Sequence, residues 1–301
     1  MQLNDRSDND LHFIIPSGKR LALLLLTFIF GYAIASILNV LLMNVTGVTT
    51  ASLRIGTVIQ DVVMLMLPAV ATAMLSTRRP ATFLRLERRP KGIFLFVAMA
   101  VMIVSAPLMS LIVKLNESVT LPESMASIEQ ALRTMENNAG ASINLMLGAH
   151  NIPNLIVSIL LVGILAGVCE ELFFRGALQG LLSTSKRMSS GTAIWIAAAI
   201  FSLVHFQFFG FFPRMLLGAY FGFLLVWSGS IWVPMCVHAF NNVMYVLIQY
   251  GNGSGEITSA WYCSTGTIAI STVLTIFGIT YLYTNRLTIS SPNNTEATDE
   301  Q

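Results

Sequence analysis

The chain has 301 residues, of which 54% are hydrophobic and only 11% are charged. Soluble globular domains carry about 25% charged residues, so this composition favours a protein embedded in lipid and argues against a large soluble core. The formal net charge of +2 is too small to indicate a nucleic-acid partner.

Apolar runs long enough to cross a bilayer recur along the whole chain. A spanning helix needs about 20 consecutive, mostly apolar residues. The sequence therefore predicts an all-α fold, a polytopic transmembrane helical bundle of about eight spans. Their predicted ranges are 21–43, 56–76, 93–113, 154–180, 191–209, 212–228, 232–250 and 262–284.

A polar stretch over 115–150 separates the third predicted span from the fourth. Within it, Met125, Ile128, Leu132 and Met135 recur at helical spacing, which predicts an amphipathic helix at the membrane surface. The predicted organisation is a polar N-terminal segment (1–20), N-terminal spans with the extracytoplasmic amphipathic segment (21–150), a core of further spans (151–255), a last span (256–285) and a polar tail (286–301).

The distribution of lysine and arginine predicts the orientation. Of the 17 such residues, 12 fall on the side of the predicted termini and 4 on the opposite side, while Arg175 lies inside a span. Cytoplasmic loops carry the excess of positive charge. Both termini are therefore expected in the cytoplasm, and the short loops suit a bacterial plasma membrane.

Three of the predicted spans contain polar motifs. Ionisable groups in the hydrocarbon are costly and are functional candidates by default. The fourth span holds Glu-Glu-x-x-x-Arg, the fifth holds Phe-x-x-x-His and the seventh holds His-x-x-x-Asn. Their polar members are Glu170, Glu171, Arg175, His205, His238 and Asn242.

Helical spacing sorts these residues into two groups. Glu171 and Arg175 are i,i+4 neighbours and can form an ion pair. Glu170 points about 100° away around the helix and is free to face another partner. His238 and Asn242 are also i,i+4 neighbours and share a face.

Depth in the membrane provides a second argument. The fourth and fifth spans form a hairpin around the basic turn at Lys186, which follows Glu170 by 16 residues and precedes His205 by 19. At about 1.5 Å per residue, the two side chains lie at depths that differ by about 5 Å. His238 also enters its span from the cytoplasmic side, so the three helices are expected to meet at one cavity.

Each of these features also has a structural interpretation. Glu–Arg pairs and single histidines in spans are often structural, and Asp61, a lone acid in the second span, is interpreted as a packing residue. Gly163 and Gly167, like Gly218 and Gly222, fit close packing of helices. The joint occurrence of the three polar motifs favours a functional site.

The three motifs, in this order, resemble those of the CPBP family of intramembrane proteases, which includes the type II CAAX prenyl endopeptidases and bacteriocin-processing or immunity proteins. The resemblance covers about residues 154–250. It implies that Glu170 is the general base and that His205 helps to hold the attacking water. It also implies that His238 and Asn242 stabilise the oxyanion, and that Glu171 and Arg175 support the site. The expected substrate is a membrane peptide or protein.

The sequence leaves the cofactor open between none and zinc. Glu170, His205 and His238 could ligate zinc and leave a fourth position open. The sequence contains no His-Glu-x-x-His motif, and we expect no metal. Two other functions compete with hydrolysis: a non-catalytic scaffold or bacteriocin-immunity protein, and a proton-coupled transporter.

Overall fold

The computed structural model describes residues 13–148, 150–184, 188–252 and 264–287. The basic turn at Lys186, most of the predicted polar segment 1–20 and most of the predicted tail 286–301 lie outside these residues.

The described residues confirm an all-α fold, because their only extended pairing is an isolated bridge between Phe13 and Thr77. The helices, in chain order, are α1 (Ser17–Thr46), α2 (Thr50–Ser76), α3 (Pro80–Phe83), α4 (Gly92–Val104), α5 (Ala106–Glu117), α6 (Ala126–Leu147), α7 (Ile152–Ser183), α8 (Ser190–Leu203), α9 (Phe211–Ser228), α10 (Trp232–Asn252) and α11 (Thr265–Thr284).

The predicted count of eight spans is not confirmed. Within the described part of the chain, five helices (α1, α2, α7, α9 with the turn before it, and α11) are long and apolar enough to cross a membrane, and the bent pair of α4 and α5 is a sixth candidate. Helix α8 has 14 residues and is about 21 Å long, whereas the hydrocarbon core is about 30 Å thick. Helix α10 carries His238, Asn241 and Asn242, which lower its apolar character.

The third predicted span is broken in the middle. Helices α4 and α5 meet at an angle of 49° around Ser105. Pro107 has no N–H to donate to the carbonyl of Ile103, which accounts for the break. The Ser271 hydroxyl of α11 donates to Val104 O at 2.6 Å and accepts from the Leu108 N–H at 3.3 Å, so it satisfies backbone groups at the break.

The predicted amphipathic helix is present as α6. Its polar side includes an ion pair between Arg133 and Glu129 at 2.8 Å. Glu129 also accepts the Leu121 N–H at 2.7 Å, and these two contacts lower the pKa of its carboxyl group. Ile128 and Met135 stay exposed, as expected of a helix that lies against lipid.

Close packing at glycines brings α7 against α10. A methyl group at Gly167 would meet the backbone N of Ala239 at 3.0 Å, and one at Gly163 would meet the Val243 side chain at 2.6 Å. Gly218 of α9 has a comparable role, because a methyl group there would meet Phe201 at 3.0 Å. The predicted close-packing function of these glycines is confirmed.

Candidate active site

Glu170 lines a cavity of about 650 Å³ together with His205. Most of the cavity wall comes from α1, α2 and α6, while α7 and the turn after α8 form the rest. The side chain of Glu170 keeps 15% of its surface exposed. Glu170 and His205, which were predicted to meet at one cavity, therefore both line it.

Glu170 and Glu171 occupy different environments, as the helical spacing predicted. Glu171 is fully buried, and its Oε1 accepts from Arg175 Nη1 at 2.9 Å and from His238 Nδ1 at 2.8 Å. Arg175 Nη2 donates to Gly218 O at 2.8 Å. The expected Glu171–Arg175 ion pair is present and links α7, α9 and α10.

His238 is held on two sides. Its ring stacks on Phe221 with the centroids 4.6 Å apart. With the Nδ1 hydrogen donated to Glu171, the ring presents Nε2 towards Glu170, whose Oε2 lies 3.7 Å away. His238 is 3% exposed and is not part of the cavity wall. The ring therefore connects the buried ion pair to the carboxylate that faces the cavity.

His205 does not lie in a helix, in contrast to the predicted span 191–209. Helix α8 ends at Leu203, and Phe206 adopts a left-handed φ of 54°. Left-handed backbone terminates helices and is unfavourable for a bulky residue, so its occurrence is typical of functional sites. The turn places His205 at the cavity wall, with Nδ1 donating to Phe201 O at 2.7 Å.

Neighbouring elements anchor the turn that carries His205. Ser202 Oγ donates to Phe211 O at 2.7 Å across it. Buried Asn116 of α5 donates to Phe209 O and accepts the Phe212 N–H at 3.3 Å. Because these contacts fix both sides of the turn, the imidazole has a defined position next to the cavity.

Asn242 does not face this cavity. Its Nδ2 donates to Val162 O at 3.3 Å, and its Oδ1 accepts from Asn241 Nδ2 at 3.3 Å. The structure thus directs His238 at the two glutamates and Asn242 at the backbone of α7, although the spacing placed both on one helix face.

Within residues 13–148, 150–184, 188–252 and 264–287, no three His, Cys, Asp or Glu side chains are arranged to hold a metal ion. Of the three candidate zinc ligands, His205 and His238 each direct Nδ1 at a protein acceptor and have Nε2 left.

Asp61, which the sequence analysis interpreted as a packing residue, lines the same cavity as Glu170. It lies in the cavity wall, is 6% exposed, and its Oδ2 has no hydrogen-bond partner. It belongs to a π-helical segment, Gln60–Met66, and two further π-helical segments of α7 flank Ala166–Glu171. Such segments occur frequently at functional sites, but the sequence does not reveal them.

Residues 152–244 match the family described as type II CAAX prenyl endopeptidase Rce1-like. This segment carries Glu170, His205, His238 and Asn242 in the order described above. The segment, about a third of the chain, is similar to this family. The membrane-spanning candidates and the family match together make the chain an integral membrane protein.

A curated relative, CAAX prenyl protease 2 of Arabidopsis thaliana, is 29% identical over 120 residues, which cover 33% of this chain and 38% of that protein. The matched region thus spans well under half of the relative's length. No solved structure shows significant similarity to the chain. The cavity wall contributed by α1, α2 and α6 lies outside the family segment.

Proposed function

We propose that the chain is an intramembrane endopeptidase that hydrolyses peptide bonds of membrane-associated substrates with a water activated by Glu170. The observation that carries this proposal is the position of Glu170. It faces a cavity shared with His205, while Glu171 next to it is fully buried and bonded through Oε1 to Arg175 and His238. A carboxylate with one free face in a low-dielectric site is suited to general base catalysis.

His205 complements Glu170 as the second holder of the water. Since its Nδ1 hydrogen is donated to Phe201 O, the neutral ring offers a lone pair at Nε2. The water donates one hydrogen to Glu170 and the other to His205. Its oxygen attacks the carbonyl carbon as Glu170 takes the proton, and Glu170 then delivers that proton to the leaving amine when the C–N bond breaks.

His238 is the proposed donor to the oxyanion. Its Nδ1–H is bonded to Glu171, so Nε2 donates only when the ring is an imidazolium. The buried carboxylate of Glu171 fixes the ring orientation, as in catalytic triads. Asn242 Nδ2 donates to Val162 O at 3.3 Å. In the proposed mechanism the amide rotates away from this carbonyl and donates to the oxyanion as well. One hydrogen-bond donor fixed in an oxyanion hole typically raises kcat by about 10²–10³-fold.

The proposed mechanism takes its base and its oxyanion donors from side chains and uses no metal. Purified enzyme is then expected to contain no stoichiometric zinc and to resist o-phenanthroline. About one zinc per chain, lost in both His205→Ala and His238→Ala, would replace this mechanism by metal-assisted hydrolysis.

The experiment that tests the function compares wild type with Glu170→Gln, using Glu117→Gln on the exposed end of α5 as the matched control. New N-termini in the membrane proteome should appear with wild type and the control and be lost with Glu170→Gln. General base loss costs about 10²–10⁴-fold. More than about a third of wild-type activity in Glu170→Gln would eliminate Glu170 as the base. Absence of cleavage by wild type would favour a non-catalytic role.

The substrate class and the location are part of the same proposal. The relative is named a CAAX prenyl protease, so prenylated and unprenylated versions of one membrane peptide are the first substrates to compare. We place the chain in a bacterial plasma membrane with both termini in the cytoplasm, on the strength of its basic loops.

A further inference from the structure

The cavity contains a second carboxylate that the proposed hydrolysis does not use. Asp61 lies on α2, outside the segment that matches the family. It is 6% exposed, and its Oδ2 is buried without a hydrogen-bond partner. The segment Gln60–Met66, which carries Asp61, packs against Ala166–Glu171. A group bound to Asp61 therefore shares the cavity with Glu170.

A second acceptor in the same wall is also unpartnered. Asn39 Nδ2 donates to Gly56 O at 3.3 Å, and this bond leaves Asn39 Oδ1 buried without a donor. A side chain at Gly56 would collide with that oxygen, since a methyl group there would lie 2.5 Å from it. Asn39 Oδ1 thus lies against Gly56, and the remaining unpartnered acceptor of the wall is Asp61 Oδ2. Buried polar atoms are normally hydrogen-bonded, so a ligand that donates a hydrogen bond to Asp61 would complete this site.

The charges of the cavity wall indicate the chemical class of the ligand. Among the described residues that line the cavity, Asp61 and Glu170 are acids, and none is a lysine or arginine. Two carboxylates in one low-dielectric cavity disfavour each other's ionised form. A cation placed between them relieves this repulsion and supplies the missing donor.

We infer that Asp61 is a substrate-binding residue that selects a lysine or arginine side chain adjacent to the scissile bond. This inference rests on the proposed endopeptidase function, because it names a substrate feature of the same site. The aliphatic stem of such a side chain fits the apolar part of the wall, formed by Met64, Leu65 and Met146, while its charged end reaches Asp61.

The test uses binding, which does not depend on turnover. Pairs of apolar ketomethylene peptides, identical except for lysine or norleucine next to the uncleavable bond, are titrated by fluorescence anisotropy against the full chain in lipid nanodiscs. The wild type should bind the lysine peptide at least about tenfold more tightly than the norleucine peptide, the factor for a hydrogen bond to a charged group.

Asp61→Asn, which keeps the size of the side chain, should reduce this preference to within about twofold. Glu117→Gln, the same chemical change at an exposed position, should retain it. Equal affinity of wild type for both peptides, or an unchanged lysine preference in Asp61→Asn, overturns the assignment. The wild-type comparison decides the question even if Asp61→Asn does not fold.

Cleavage of the corresponding amide peptides is measured separately. Lysine-selective binding without any cleavage by wild type contradicts the proposed hydrolysis and leaves the role of Asp61 as a cation-binding residue intact. Cleavage without lysine selectivity contradicts the role of Asp61 and leaves the hydrolysis intact.

Discussion

Replacing Glu171 by alanine removes the carboxylate that joins α7 to α10. Its Oε1 accepts two hydrogen bonds, from Arg175 at 2.9 Å and from His238 at 2.8 Å. Arg175 is 1% exposed, so the substitution leaves a guanidinium buried without its counter-charge. The remaining contacts of Arg175 are to neutral groups, namely Gly218 O and the rings of Phe201 and Phe221.

The expected cost follows from these contacts. Removing one partner of a buried ion pair costs about 3–5 kcal/mol. An unsatisfied buried donor at His238 adds about 1–3 kcal/mol, so the total cost is about 4–8 kcal/mol. A change of this size should lower the unfolding temperature by on the order of 10 °C or more.

The double variant Glu171→Ala with Arg175→Ala isolates the pair. It removes the Arg175 guanidinium together with the Glu171 carboxylate. Its loss of stability should therefore be about 0.5–3 kcal/mol smaller than the sum of the losses of the two single variants. Unfolding in detergent can be followed with a thiol-reactive dye, because Cys169 is buried and Cys236 half-buried, and both are free in the folded chain.

Strict additivity of the two substitutions, within about 0.5 kcal/mol, would refute the coupling. In that case Glu171 would return to the list of candidates for a direct role in catalysis. Glu117→Gln is the control for a lost carboxylate at an exposed position and should unfold like wild type.

Three further predictions concern helix contact, the oxyanion and topology. Gly167→Ala forces α7 away from the backbone of Ala239, and we expect lower activity and lower thermal stability together; wild-type values of both would contradict the close approach. Asn242→Ala should lower kcat by about 10²–10³ with little change in KM, and a change in KM alone would assign Asn242 to ground-state binding. A cysteine introduced at Arg88 should react only with reagents on the cytoplasmic side, and labelling from outside would reverse the orientation.

Local features of the site could be predicted from the sequence because they depend on one helix at a time. The Glu171–Arg175 pair follows from i,i+4 spacing alone, and the divergence of Glu170 from Glu171 follows from 100° per residue. The common depth of Glu170 and His205 follows from counting residues around one hairpin. The ion pair is observed, and Glu170 and His205 line one cavity, while their depth in the membrane stays a prediction.

Features that involve several helices were not predictable in the same way. His238 and Asn242 share a helix face, yet one reaches Glu171 and the other reaches Val162 O. The rotation of α10 about its axis is set by its contact with Gly167, which no spacing within α10 reveals. The end of α8 before His205 depends on a turn that hydropathy does not detect, whereas the break at Ser105 has a local signal in Pro107 that the span prediction did not use.

By itself, the sequence determined an all-α membrane protein with three polar motifs in apolar helices. The hydrocarbon interior requires long apolar helices, and a charged side chain within them is costly and therefore a functional candidate. The tertiary structure decided which of those charges face each other and which face the cavity. It alone brought Asp61 of α2 beside Glu170 of α7, since a lone acid carries no periodic signal and its neighbours are fixed by the packing of helices distant in the chain.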